Sequence, residues 1–211
     1  FVYTENINAA YATGRGQFGK TSVQLGMRME NTNSIGDSRS MNRVDKNHYT
    51  NLFPSVFVQQ SINKDNQVGL QYSYRIGRPS YDKLNPFLWM LNLYTYMQGN
   101  PFLRPQYTNS LGLNYTYKNK FITSLGFNTT DDMFTQIIEQ NPVSKVLYQT
   151  DKNLSNSKGL NLTETAQIDL TKWWHLNATA MVMYTNTASD YEGVRDFYLW
   201  SFSGNMSNTI N

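Results

Sequence analysis

The sequence predicts an all-β chain that forms part of a transmembrane antiparallel up-and-down β-barrel. Three observations carry that prediction. Apolar residues recur at every second position along most of the 211 residues, and almost nowhere at helical spacing. The alternating runs are about 9 to 13 residues long, whereas strands of water-soluble proteins stop at about 5 or 6 and a tilted membrane-crossing strand needs about 9 to 11. Tight turns and long links alternate along the chain, as in barrels with short turns on one membrane face and long loops on the other.

Nine strands are expected, over residues 2–12, 20–30, 49–61, 67–77, 106–118, 121–138, 159–170, 174–187 and 197–209. The second sets Val23, Leu25, Met27 and Met29 against Gln24, Gly26, Arg28 and Glu30. The third is ambiguous, because Phe53 and Phe57 compete with Val56 and Val58 for the apolar face, and Pro54 suits an edge or a bulge. In the fourth, Val68, Leu70, Tyr72, Tyr74 and Ile76 oppose Gln67, Gly69, Gln71, Ser73 and Arg75. The fifth opposes Leu111, Leu113, Tyr115 and Tyr117 to Gly112, Asn114, Thr116 and Lys118. The seventh places Glu164 on the face of Leu160, Leu162, Ala166, Ile168 and Leu170, where a carboxylate against lipid is costly; a bulge, a neighbouring rim or a partner subunit could shield it. The eighth runs Leu176, Ala178, Ala180, Val182, Tyr184.

Short turns are expected around residues 14–19, 63–66, 118–120 and 171–173, and long links around 32–47, 79–104, 139–157 and 188–196. Phe18, Tyr115, Tyr117, Phe121, Trp173 and Trp174 cluster beside the short turns, as a girdle at the membrane interface would. The polar faces put Gln24, Arg28, Glu30, Gln71, Arg75, Asn114, Thr116, Gln167 and Asp169 toward a lumen. Nine strands leave two unpaired edges, which hydrocarbon does not tolerate, so further strands are expected from the same protein or from other chains. The start at Phe1 and the end at Ile210 and Asn211 fit a single cropped barrel segment with no plug domain.

Composition narrows the function. Charged residues make up only 16% of the chain and aromatics 14%, with a net charge of +3, which argues against a disordered tail and against a nucleic-acid partner. With no Cys, disulfide frameworks, thiolate metal sites and Cys nucleophiles are excluded. The two His fall at opposite membrane faces on this topology, His48 in a long loop and His175 beside a short turn, so no catalytic pair forms. Asp131 and Asp132 are adjacent in a strand and point to opposite faces. Neither an enzyme, nor a bound metal, nor a cofactor is expected.

The link after the fourth strand is the most distinctive part of the chain. It runs Arg78, Pro79, Ser80, Tyr81, then Leu84, Asn85, Pro86 and Phe87, and closes with Gly99, Asn100, Pro101, Leu103, Arg104 and Pro105. Its prolines fix φ and remove donors, so the link is expected to leave the sheet. The apolar insert between them is expected to pack over the mouth or against neighbouring loops, with a short helix as one possible form, or to grip a ligand or a lid protein through Arg78, Trp89, Tyr94, Tyr96 and Arg104. The block RPSYDKLNPF followed by GNPFLRPQYTNSLGLNYTYK resembles the outer-membrane β-barrel family of TonB-dependent-receptor-like proteins common in Bacteroidota. The resemblance covers residues 72–117 and implies a barrel of about 22 strands whose lumen holds an N-terminal plug. It further implies nutrient uptake across the outer membrane, with outer-membrane lipid, the missing strands and plug, a TonB-type coupling protein and a surface lipoprotein as partners. Two alternatives remain open at this stage: a non-energised barrel serving as a structural or secretion-associated platform, and a soluble β-sandwich adhesin or carbohydrate-binding module.

Overall fold

In a computed structural model, which describes residues 1–39, 42–189 and 196–210, the chain is one antiparallel sheet with a folded insert on one of its faces. The wall consists of β1 (Val2–Phe18), β2 (Thr21–Ser38), β3 (Arg43–Ser61), β4 (Asn66–Gly77), β7 (Gln106–Tyr117), β8 (Phe121–Gln140), β9 (Leu147–Asp169), β10 (Trp174–Ser189) and β11 (Phe197–Ile210), paired in that order. Between β4 and β7 lie a single helical turn, α1 (Tyr81–Leu84), and a hairpin of β5 (Leu88–Asn92) and β6 (Thr95–Gln98). Among the described residues no second sheet packs on the first, so the β-sandwich alternative fails.

The ladder fixes which side chains share a face. Val23, Leu25, Met27 and Met29 pair with Val58, Val56, Pro54 and Leu52, which settles the third strand: its valines join the apolar face and Phe53 and Phe57 turn to the polar one. That apolar face continues through Leu70 opposite Leu113, Leu125 opposite Leu162, and Val182 opposite Phe202. Leu25, Met27, Met29, Leu70, Leu113, Leu125, Leu162 and Phe202 on it are exposed, because the surface they match is hydrocarbon and not more protein. Phe18, Tyr115, Tyr117, Phe121 and Trp174 lie on it at the short-turn end, with Trp173 stacked on Trp174 at 6.2 Å. Tyr184 and Trp200, 4.8 Å apart, mark the other end. From Trp174 to Tyr184 the strand advances about 33 Å, or about 25 Å along an axis tilted by about 40°, which is the height of a barrel's apolar band.

Several strand limits differ from the sequence expectation. Residues 32–38 and 43–48 are ladder, not loop, and so are 147–157; the link between β8 and β9 is short, at 141–146, and residues 40–41 lie outside the described residues. These segments are rich in Asn, Ser and Thr and lack alternation because both of their faces are polar. His48 is therefore in a strand, with Nδ1 2.6 Å from Asn33 Oδ1. The fourth long link falls on residues 190–195, outside the described residues. Among the described residues the β5–β6 hairpin brings the strands from the expected nine to eleven. That hairpin also corrects two expectations for the insert: its apolar core is not helical, and it does join the ladder, since β6 pairs in parallel with the start of β9. Asp131 and Asp132 sit in a register shift between β8 and β9, where Asp132 takes φ +53°, so simple alternation does not describe them.

Pro54 has a definite role. The β3–β4 ladder begins at Ser55 opposite Ser73 and runs only toward the short turns, while β2–β3 pairing continues past Pro54 to Arg43. A residue without an N–H donor thus sits where the wall divides. Aromatic rings close the gap: Phe53 meets Tyr74 in a tilted contact at 5.8 Å and Tyr74 stacks on Tyr107 at 5.9 Å.

Candidate functional site: the strap across the polar face

Residues 78–105 leave the wall at Gly77, cross its polar face and return at Gln106. Pro79 and Ser80 open the strap, and Asn85 N donates to Tyr81 O at 2.9 Å to close α1. Gly99 N donates to Asn85 O (3.0 Å) and Asn100 N to Lys83 O (2.6 Å), which draws the two Pro-bracketed segments together. Only glycine fits at that crossing, because a Cβ on residue 99 would lie 2.5 Å from Asn85 O and 2.7 Å from Asp82 O. Leu84 and Leu103, each buried, form the small apolar core beneath.

One end of the strap is anchored to β1 and β2. Arg78 Nη2 lies 2.7 Å from Glu30 Oε2 and donates to Thr32 Oγ1 at 2.9 Å, and Arg78 Nε stands 3.8 Å from Glu5. Burial works against the charge on Arg78, but hydrogen bonds to Glu30 and Tyr49 outweigh it and hold the guanidinium's pKa above its usual value. Arg28 completes the cluster, 3.2 Å from Glu30 and over the Phe53 ring. The other end is anchored to β8 and β9. Lys83 Nζ pairs with the buried Asp151 at 2.5 Å, Asn100 Nδ2 donates to Asp151 O, and Arg104 pairs with Asp132 at 2.5 Å while its backbone N donates to Asn153 Oδ1 and its backbone O accepts from Asn153 Nδ2.

Two cavities flank the strap. One, of about 470 Å³, lies against β8 and β9 and is lined by Asp82, Lys83, Trp89, Gln98, Gln136 and Gln149, among others. The second, of about 370 Å³, lies against β1 to β3 and includes Tyr3, Glu5, Tyr49, Arg78, Tyr107 and Asp132. Below them, grooves of about 350 and 310 Å³ are lined largely by Gln, Asn, Ser and Thr, with Arg75 at the first. The register puts Gln24, Arg28, Glu30, Gln71, Arg75, Asn114, Thr116, Gln167 and Asp169 all on this face.

The five residues singled out for contact do not form one cluster. Arg78 and Arg104 are engaged in the ion pairs that hold the strap. Trp89 lines the larger cavity, Tyr96 stacks on Tyr148 at 6.1 Å, and Tyr94 is exposed at the hairpin tip, where its carbonyl accepts from Leu147 N. Sequence reasoning missed Lys83, Gln136, Gln149 and Asp151. Lys83 lay within the distinctive block, but nothing local ties it to a partner 68 residues away.

A wide strand wall with one lipid-matching face, a polar opposite face and a folded strap at the long-loop end defines a piece of an outer-membrane β-barrel. The chain belongs to the outer membrane protein beta-barrel family, whose profile matches residues 1–211, and it resides in the outer membrane. No curated protein sequence matches it. Similar solved structures include the FrpB iron transporter from Neisseria meningitidis (12% identity, TM-score 0.61, 90% of this chain and 27% of that one). The copper transporter OprC is similar at 12% identity and TM-score 0.61 over 96% of this chain and 40% of its own. The siderophore receptor PirA from Pseudomonas aeruginosa follows at 12% identity and TM-score 0.53, over 96% and 51%. At these identities the likeness establishes the fold, a partial barrel of the TonB-dependent-receptor kind, and the chain spans about half or less of each of those proteins.

Proposed function

We propose that the chain is part of the wall, with the extracellular strap, of an energised outer-membrane importer of the Bacteroidota type that takes up a nutrient. The observation that supports this most is the polar face: a surface of amides and hydroxyls running from the strap to the short-turn rim, which suits a hydrated lumen holding a plug and passing a polar solute. Free edges at β1 and β11 call for further strands, since an open sheet cannot stand in hydrocarbon. In this reading short turns face the periplasm, a TonB-type protein displaces the plug, and Trp89, Tyr94 and Tyr96 contact solute or a surface lipoprotein at the mouth.

The exposed apolar surface of the hairpin, with Phe87, Trp89, Met90, Leu91, Leu93 and Tyr94, favours a second reading, a non-energised platform for surface proteins. The full reading frame and an uptake assay separate the two. An importer carries an N-terminal plug with a coupling segment, and its uptake stops when the proton gradient is collapsed. Trp89→Ala with Tyr96→Ala reduces uptake several-fold at normal barrel levels. A frame without a plug, or unchanged uptake in that double variant together with lost surface-protein retention, establishes the platform.

A further inference from the structure

We infer that the short-turn rim is a binding site for anionic phospholipid headgroups in the periplasm-facing leaflet. Each of the four hairpin turns at this rim carries lysine: Lys20 between β1 and β2, Lys64 between β3 and β4, Lys118 and Lys120 between β7 and β8, and Lys172 between β9 and β10. Those hairpins are consecutive in the sheet, so a cationic side chain recurs about every 10 Å, two strand spacings, along the rim. Among the described residues the acidic groups in these turns and at their strand ends are Asp65 and Asp169, and Asp169 is already held by Lys120 (2.8 Å) and His175 (2.6 Å). Lys20, Lys64, Lys118 and Lys172 make no ion pair among the described residues, and a surplus of positive charge remains.

The lysines are held on a stiff frame. Ser61 N donates to Lys20 O (2.9 Å), Lys118 N to Asp65 O (2.6 Å) and Gln167 N to Lys120 O (2.7 Å), so neighbouring turns are joined backbone to backbone. Asn63 Oδ1 accepts from the backbone of Asp65 and Asn66 and sets the loop that presents Lys64. Lys118 takes φ +52° and Asn119 φ +54°, a two-residue turn in which glycine is the easier choice, so a lysine there carries a conformational cost. Its ammonium lies 5.2 Å from the ring centroid of Tyr117, which is on the lipid-matching face, so this charge stands beside the girdle and not over the lumen. Tyr115, Tyr117, Phe121, Trp173 and Trp174 fill the level just above, where rings sit among headgroups and glycerol esters. Lysine at an anionic membrane surface contributes favourably per residue and falls off within a Debye length, so only groups at the rim itself count. The site rests on the proposed orientation, short turns toward the periplasm, and not on which solute the barrel imports.

The test uses the full-length barrel purified in mild detergent from membranes, with bound phospholipid identified by native mass spectrometry. Wild type is expected to retain phosphatidylglycerol several-fold over phosphatidylethanolamine relative to their membrane ratio. The combined variant Lys20→Gln, Lys64→Gln, Lys118→Gln and Lys172→Gln loses that preference, the corresponding Arg variants keep it, and Lys145→Gln at the opposite end leaves it unchanged. Heat-modifiable migration of each variant reports that the barrel has closed. Should the Gln variant not fold, wild type in nanodiscs of phosphatidylcholine with a minority of phosphatidylglycerol still decides, through enrichment of the anionic lipid that high salt removes. Retention in proportion to membrane composition, or a preference untouched by the Gln changes, overturns the inference.

Discussion

The two halves of the wall bury different things. Toward the short turns the sheet is a regular ladder in which Leu25, Leu70, Leu113, Leu125 and Leu162 lie exposed on one face. Toward the long links nearly every buried side chain among the described residues is found: Glu30, Thr32, Ser34, Phe53, Leu84, Leu103, Asp151 and Leu154. The first half relies on hydrogen-bonded strands and on lipid for its apolar contacts. The second makes its own contacts, and much of what it buries is polar and paired with the strap. The same protein is therefore solvated by two media, and a substitution has to be judged by the half in which it falls.

The largest effect is expected where the strap meets the wall. Arg78→Ala leaves the buried Glu30 with only the half-exposed Arg28 and strips Thr32 Oγ1 of its donor, a loss of about 3 kcal/mol, the lower end for a broken buried pair. It should appear as protease cutting within 78–105 while the barrel keeps its heat-modifiable migration. The membrane half responds to charge on its outer face: Leu162→Arg should lower stability in vesicles by about 2 to 4 kcal/mol in a denaturant titration. Ile35→Arg lies on the same face but beyond the band, and should cost less than about 0.5 kcal/mol. Equal costs at the two positions would erase the division between the halves. Gly99→Ala forces a Cβ against two carbonyls and should loosen the strap by about 1 to 3 kcal/mol, read by hydrogen exchange at Asn85 and Asn100. Smallest is a gain. Glu164 lies on the outer face between Leu162 and Ala166, opposite Ala180, with one oxygen accepting from Thr123 Oγ1 at 2.6 Å. Glu164→Leu should raise stability in vesicles by about 1 to 2 kcal/mol.

The division also explains what the sequence disclosed. In the membrane half one face must be apolar, so Val23 to Met29, Val68 to Ile76 and Leu176 to Tyr184 display their register openly. Strand three was ambiguous because Phe53 and Phe57 are apolar yet face the polar side, where Phe53 packs under Arg28 and against Tyr74. Only pairing with β2 decides such a case. In the other half, residues 32–38 and 43–48 are wet on one face and packed against polar groups on the other, so a strand there has no period to read. The strap's prolines announced that the chain leaves the sheet, but its return as a parallel partner of β9 depends on Leu147, Tyr148 and Gln149, far away in sequence. Of the candidate site, Arg78 and Trp89 were visible as chemistry, whereas the Lys83 and Asp151 pair exists only through the fold.

The measurement that bears most directly on this account is accessibility along β4, the more so because the chain has no Cys and single cysteines can be introduced cleanly. Spin labels at Val68, Leu70 and Tyr72 in the vesicle-embedded barrel should be relaxed by oxygen, and labels at Gly69, Gln71 and Ser73 by a water-soluble nickel chelate. A two-residue alternation between the two relaxants places hydrocarbon on one face and water on the other; nickel access at all six positions, without alternation, would contradict it.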